Sequence, residues 1–97
     1  MMQQYDIVLD GQLGERQGIL SWEERDSIVS GVLTLLGFEN PVHGKKCENR
    51  LELVHDLRTA VSTIACRTVL ELQGETLCGM VCFASGNMKL FGQKKSE

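Results

Sequence analysis

The sequence predicts an all-β protein, an antiparallel up-and-down meander of about eight short strands that closes, or nearly closes, into a small β-barrel. Three observations predict it. Apolar and polar residues alternate with period two along the whole chain, and no stretch of ten or more residues carries a convincing helical stripe. Candidate strands recur at spacings of roughly 8–13 residues, as they do in sandwiches and barrels. Ten glycines stand against one proline, a composition suited to many tight turns and bulges. The 97 residues make one domain, because two cores would each be too small to stand alone.

The strands follow in order. YDIVLD puts Tyr5, Ile7 and Leu9 on one face and Asp6, Val8 and Asp10 on the other. GQLGE turns the chain into RQGILSWE, with Gly18, Leu20 and Trp22 in the inward phase. After EERD, the run SIVSGVLTLL aligns Val29, Gly31, Leu33 and Leu35. GFEN leads to a short fourth strand, PVHGKKC, and EN turns into RLELVHDLRT, where Leu51, Leu53, His55 and Leu57 share a phase. STIACRTVLEL aligns Ile64, Cys66, Thr68, Leu70 and Leu72. QGE turns it into TLCGMVCFA, with Leu77, Gly79, Val81 and Phe83 together, and SG connects to NMKLFGQK, with Met88, Leu90 and Gly92. For Ser21 to Leu36 the alternative is a helix start, with Ser21 as N-cap and Glu24 at the capping-box position. The glycine-apolar-apolar pattern on both sides favours strands.

Gly18, Gly31 and Gly79 interrupt apolar runs in similar settings, QGILSW, SGVLTL and CGMVCF. A glycine inside a strand marks a bulge, a bend or a close approach by other chain. Closing about eight short strands into a narrow barrel crowds the concave side, and the inward phase puts all three glycines there. Unconnected hairpin glycines in an open sandwich are the other reading.

Composition excludes several function classes. A net charge of −3, with only Lys45-Lys46 and Lys94-Lys95 as adjacent basic pairs, gives no basic face for nucleic acid. No apolar run approaches the roughly 20 residues of a helical membrane span. MMQQYDIVLDG lacks the basic and apolar regions of a signal peptide. The four cysteines at 47, 66, 78 and 82 form no CxxC and have no histidine partner at zinc-finger spacing. Free thiols in a reducing cytoplasm are therefore expected, ahead of disulfides. No serine sits in a G-x-S-x-G setting, no nucleophile–base pair can be assembled, and GQLGE has neither the length nor the context of a phosphate loop. An enzyme is not expected, nor is any cofactor.

GERQGILSW, SGVLTLLGFENPVHG, LVHDLRT and GMVCFASGNMKLFGQK resemble the strand motifs of a group of small bacterial meander proteins, similar to lipocalin- or avidin-like (calycin-like) barrels. The resemblance runs through nearly the whole chain on short, degenerate motifs. It implies an up-and-down barrel and no activity. In the fifth strand, where that group tends to carry glycine or another small residue, this sequence has His55.

Candidate sites divide between interior and exterior. Inside, His55 shares the phase of three leucines and needs hydrogen-bond partners, for which Cys66 and Thr68 on the next strand are placed. Tyr5 and Trp22, inward near strand ends, either line the mouth of a pocket for a small apolar ligand or plug the barrel themselves. His43 is expected in solvent, and a metal site from His43, Cys47 and His55 has no supporting spacing. Outside, Val8, Ile19, Val32 and Met80 share the outward phase, with Cys78 and Cys82 flanking Met80. Closure brings the last two strands beside the first, which makes these residues one patch and a symmetric homo-oligomer the simplest use of it. The expected function is a non-enzymatic association module; the alternative is a binder of a small apolar ligand held near Tyr5, Trp22 and His55.

Overall fold

The computed structural model describes residues 2–11 and 14–95. Its eight strands are β1 (Met2–Gly11), β2 (Gly14–Arg25), β3 (Ile28–Leu35), β4 (Phe38–Cys47), β5 (Arg50–Arg58), β6 (Thr63–Gln73), β7 (Thr76–Phe83) and β8 (Gly86–Lys94). Each pairs antiparallel with its neighbours in sequence, and β1 pairs with β8, so the sheet closes into a barrel in simple up-and-down order. Ser21 to Leu36 is two strands around a tight turn, with no helix. The fourth strand starts earlier than expected, at Phe38, because Leu36 and Gly37 both take positive φ (57° and 82°) and complete a two-residue turn by themselves.

The pairing fixes the stagger of the barrel. Met2, Glu23, Ser30, His43, Val54, Arg67, Cys82 and Asn87 lie opposite one another in turn around the wall. Lys89 faces Asp10 across the closing pair of strands, so the circuit returns to β1 about ten residues further along. Such a stagger goes with strands tilted by about 35–45° to the axis.

Every strand keeps one phase inside. The core holds Tyr5, Ile7, Leu9, Leu20, Trp22, Val29, Leu33, Leu35, Val42, Leu51, Leu53, Leu57, Cys66, Leu70, Leu77, Val81 and Leu90. Burial of each large apolar side chain contributes about 1.5–3 kcal/mol.

The interrupting glycines are the small halves of large–small pairs. Gly31 lies opposite Trp22, Gly79 opposite Leu70, and Gly18 between Ile7 and Leu35. Gly44, opposite Leu53, belongs to the same set. A Cβ on Gly31 would lie 1.9 Å from the Ser21 carbonyl oxygen, and one on Gly79 would lie 1.9 Å from that of Val69. Neighbouring backbone occupies the space of a side chain at both places. The glycines sit on the concave side, where tilted strands coil most tightly.

Candidate functional site

The interior is built as a packed core. Tyr5 and Trp22 are both buried, diagonal neighbours on β1 and β2, with ring centroids 5.0 Å apart and planes within 9°. Their stacked rings fill the barrel near the β2–β3 turn. Lys46 Nζ meets Glu24 at 3.6 Å on the rim of that end. At the other end Ile64, Phe83 and Met88 pack partly buried against the core.

His55 points inward and has partners on both ring nitrogens. Nδ1 lies 3.0 Å from the Asp56 carbonyl oxygen and Nε2 lies 2.6 Å from Thr68 Oγ1. The carbonyl only accepts, so Nδ1 carries the hydrogen and the Thr68 hydroxyl donates to Nε2. Burial holds the imidazole below its ordinary pKa, against a smaller opposing pull from Asp56. Cys66, directly opposite His55, is a buried thiol pushed up first by burial and further by Asp56 and Cys82; its Sγ donates to the Ile64 carbonyl at 3.5 Å. A thiol raised in this way is a poor nucleophile.

His43 and Cys47 are exposed on β4, whereas His55 lies inside the wall, so the structure does not bring the three together. Among the described residues no three His, Cys, Asp or Glu side chains are grouped to hold a metal ion. No helix is long and apolar enough to cross a membrane among them.

The exterior carries the larger pattern. Val8, Ile19, Val32, Pro41, Val54, Val69, Met80 and Phe91 point outward, one from each strand in order from β1 to β8. Three neighbours in this series are directly opposed: Val8 with Phe91, Val32 with Pro41, and Val69 with Met80. The other five steps are diagonals of two residues, all in the same sense. Five such steps absorb the whole stagger of the sheet, so the eight residues form a level ring around the waist of the barrel.

The ring is one residue deep. Above and below it stand Asp6, Asp10, Glu39, Glu52, Asp56, Arg67, Glu71 and Lys89, among uncharged polar residues and the two thiols. Outward residues on a strand recur about every 7 Å, far short of the apolar band of about 25 Å on a membrane-spanning barrel. The opposed aromatic and β-branched pair Phe91 and Val8 adds about 0.2–1 kcal/mol to the sheet. Even so, Phe91 remains 47% exposed and Val54 61%.

Of the residues singled out in the sequence, Val8, Ile19, Val32 and Met80 are in the ring. Cys78 lies opposite Phe91, and Cys82 stands above Met80 between Arg67 and Asn87. Pro41, Val54, Val69 and Phe91 are the members that sequence reasoning missed, and Phe91 is the bulkiest of them. Its signal was present, since Leu90 and Gly92 inward require Phe91 outward. Beside it Gly18 and Gly92, on either side of Ile7, floor an open groove of ≈ 640 Å³ lined by Asp6, Val8, Gln17, Thr76 and Gln93.

Comparison with protein-family models, with curated proteins and with solved structures returns no match.

Proposed function

We propose that this barrel is a non-catalytic association module that works through its outer wall, by pairing with a second copy of itself. The observation that carries the reading is the continuous apolar ring with its exposed Phe91. A partner would remove that surface from water, a gain of about 25 cal/mol per Å². Because the sheet is closed, edge-to-edge strand addition has no free edge to use, and association has to run through side chains on the wall. The three thiols on the outside, at Cys47, Cys78 and Cys82, are free, which suits a reducing, cytoplasmic setting. The eight-stranded meander also supports kinship with the lipocalin- and avidin-like barrels of bacteria.

The interior is the weaker candidate for recognition. Tyr5 and Trp22 satisfy each other by stacking, and His55 has both nitrogens engaged within the wall. A small apolar guest would have to displace these contacts.

Sedimentation velocity and native mass spectrometry on reduced protein test the proposal. A concentration-dependent dimer, lost in Met80→Lys and in Phe91→Ser while the far-UV spectrum is kept, is the expected result. A parent that stays monomeric into the high-micromolar range overturns it. A mass excess released on denaturation would move the function to the interior.

A further inference from the structure

We propose that the groove across β2, β1 and β8 is a binding site for a small molecule ending in a planar organic cation, a guanidinium or amidinium group, held between Asp6 and Phe91. The site goes beyond self-association and does not rest on it, because one copy supplies all of its residues.

The groove owes its depth to glycine. Gly18, Ile7 and Gly92 lie opposite one another across three neighbouring strands, in the phase that faces the barrel interior. A Cβ on Gly18 would lie 2.3 Å from the Thr34 carbonyl oxygen. One on Gly92 would lie 2.9 Å from Leu77 Cδ1 and 3.0 Å from Ile7 Cγ2. Lacking side chains on the inside, the strands on either side of β1 sit closer to their neighbours than ordinary residues allow. On the outside this row becomes a sunken floor. The outward residues before and after it, about 7 Å apart along each strand, stand as two banks. Gln17, Val8 and Phe91 form one, and Asp6, Gln93 and Thr76 the other. The volume of ≈ 640 Å³ falls within the range of small-molecule sites, about 300–1,000 Å³.

Charge and shape select the ligand. Among the described residues Asp6 is the one charged side chain in the lining. The ion pairs among those residues are Lys46 with Glu24 and Arg50 with Glu52, so the Asp6 carboxylate has no cation of its own. Lys95, two residues past Gln93, makes no pair with it. Phe91 is diagonal to Asp6 across the β1–β8 pair, about 7–8 Å away, and remains 47% exposed. A planar cation satisfies both. Its face stacks on the aromatic ring, while its N–H edge donates two parallel hydrogen bonds to the carboxylate. A compact ammonium group has the charge but no flat face to stack. The barrel already uses half of this arrangement elsewhere, where the Arg58 guanidinium lies 5.3 Å from the Phe38 ring centroid. Along the groove Gln17, Gln93 and Thr76 offer amide and hydroxyl groups to the rest of the ligand.

Benzamidine tests the site against benzamide, its neutral counterpart of nearly the same shape. Amide NMR spectra of dilute, monomeric protein are followed at low salt. With benzamidine the amides of Ile7, Gly18 and Gly92 shift together on one saturable curve. Benzamide, which has neither the charge nor the paired donors, binds about tenfold more weakly or less. Asp6→Asn weakens benzamidine about fivefold and flattens its salt dependence. Phe91→Leu keeps an apolar contact without the ring and weakens it about threefold. Asp56→Asn serves as the control, since β5 is four strands from β1 in either direction, and it leaves binding unchanged. Equal binding of benzamide, unsaturable shifts spread over the whole wall, or an Asp6→Asn curve that matches the parent overturns the site. So does an Asp56→Asn loss as large as that of Asp6→Asn.

Discussion

Asn40 Oδ1 accepts the backbone N–H of Arg58 at 2.9 Å, a side chain taking the place of a strand where the β4–β5 ladder has run out. The last opposed pair of that ladder is Val42 with His55. Pro41 follows outward with no N–H to give, and the strands separate. Buried Asn40 closes the gap from the inside, and its Nδ2 donates to the Leu33 carbonyl at 3.0 Å on the opposite neighbour. Asn40→Ala leaves the Arg58 N–H without its acceptor, while the Leu33 carbonyl keeps its place opposite Asn40 in the β3–β4 ladder, and costs about 1–3 kcal/mol. Urea denaturation measures it, and a loss below about 0.5 kcal/mol would show that water replaces the amide.

Gly31 cannot acquire a side chain without moving β2. Gly31→Ala puts a methyl group against the Ser21 carbonyl and the Trp22 Cα. We expect a loss of about 3 kcal/mol or more, the upper part of the overpacking range. Unchanged stability in a denaturant melt would mean that the strands are further apart than described.

Leu36 is the opposite case, a residue held where another would be more comfortable. Its φ of 57° is left-handed, its side chain is exposed, and Gly37 follows it in a two-residue hairpin turn. Asn-Gly is the favoured pair for such turns. Leu36→Asn should stabilise the fold by about 1 kcal/mol, raising Tm by about 4–8 °C for a domain of this size. A fall in Tm would mean that the leucine contributes packing.

His55 makes the barrel acid-sensitive. Its folded pKa is depressed below the ordinary value of 6.5, so the unfolded chain takes up a proton first as pH falls. The stability from the neutral imidazole is complete above 6.5 and is lost as pH drops from there to the folded value, after which the loss levels off. His43 stands exposed on β4. Unfolding free energies at a series of pH values across this window should decline in the parent. In His55→Gln the decline should be shallower, even if that variant is less stable throughout. Parallel curves would place the sensitivity elsewhere.

Much of this was legible in the chain. Alternation assigned the inward phase of every strand, including the concave glycines and His55, because period two leaves a residue only two sides to choose from. It also put Val8, Ile19, Val32 and Met80 outward. Of the two partners the sequence offered His55, Thr68 bonds to it, whereas Cys66 turns to the Ile64 carbonyl and the Asp56 carbonyl takes the other ring nitrogen. Asn40 was not legible, because its role arises from a ladder that ends, and ladders are set by register between strands distant from the turn.

Sequence alone determined the all-β class, the meander and the two faces of each strand, all consequences of local alternation and turn chemistry. Tertiary structure decided the closure, the stagger and the level at which each outward residue stands. The apolar ring exists only at that second level. Its members come one from each strand at no common spacing, and a sheet closed with any other stagger would scatter them over the wall.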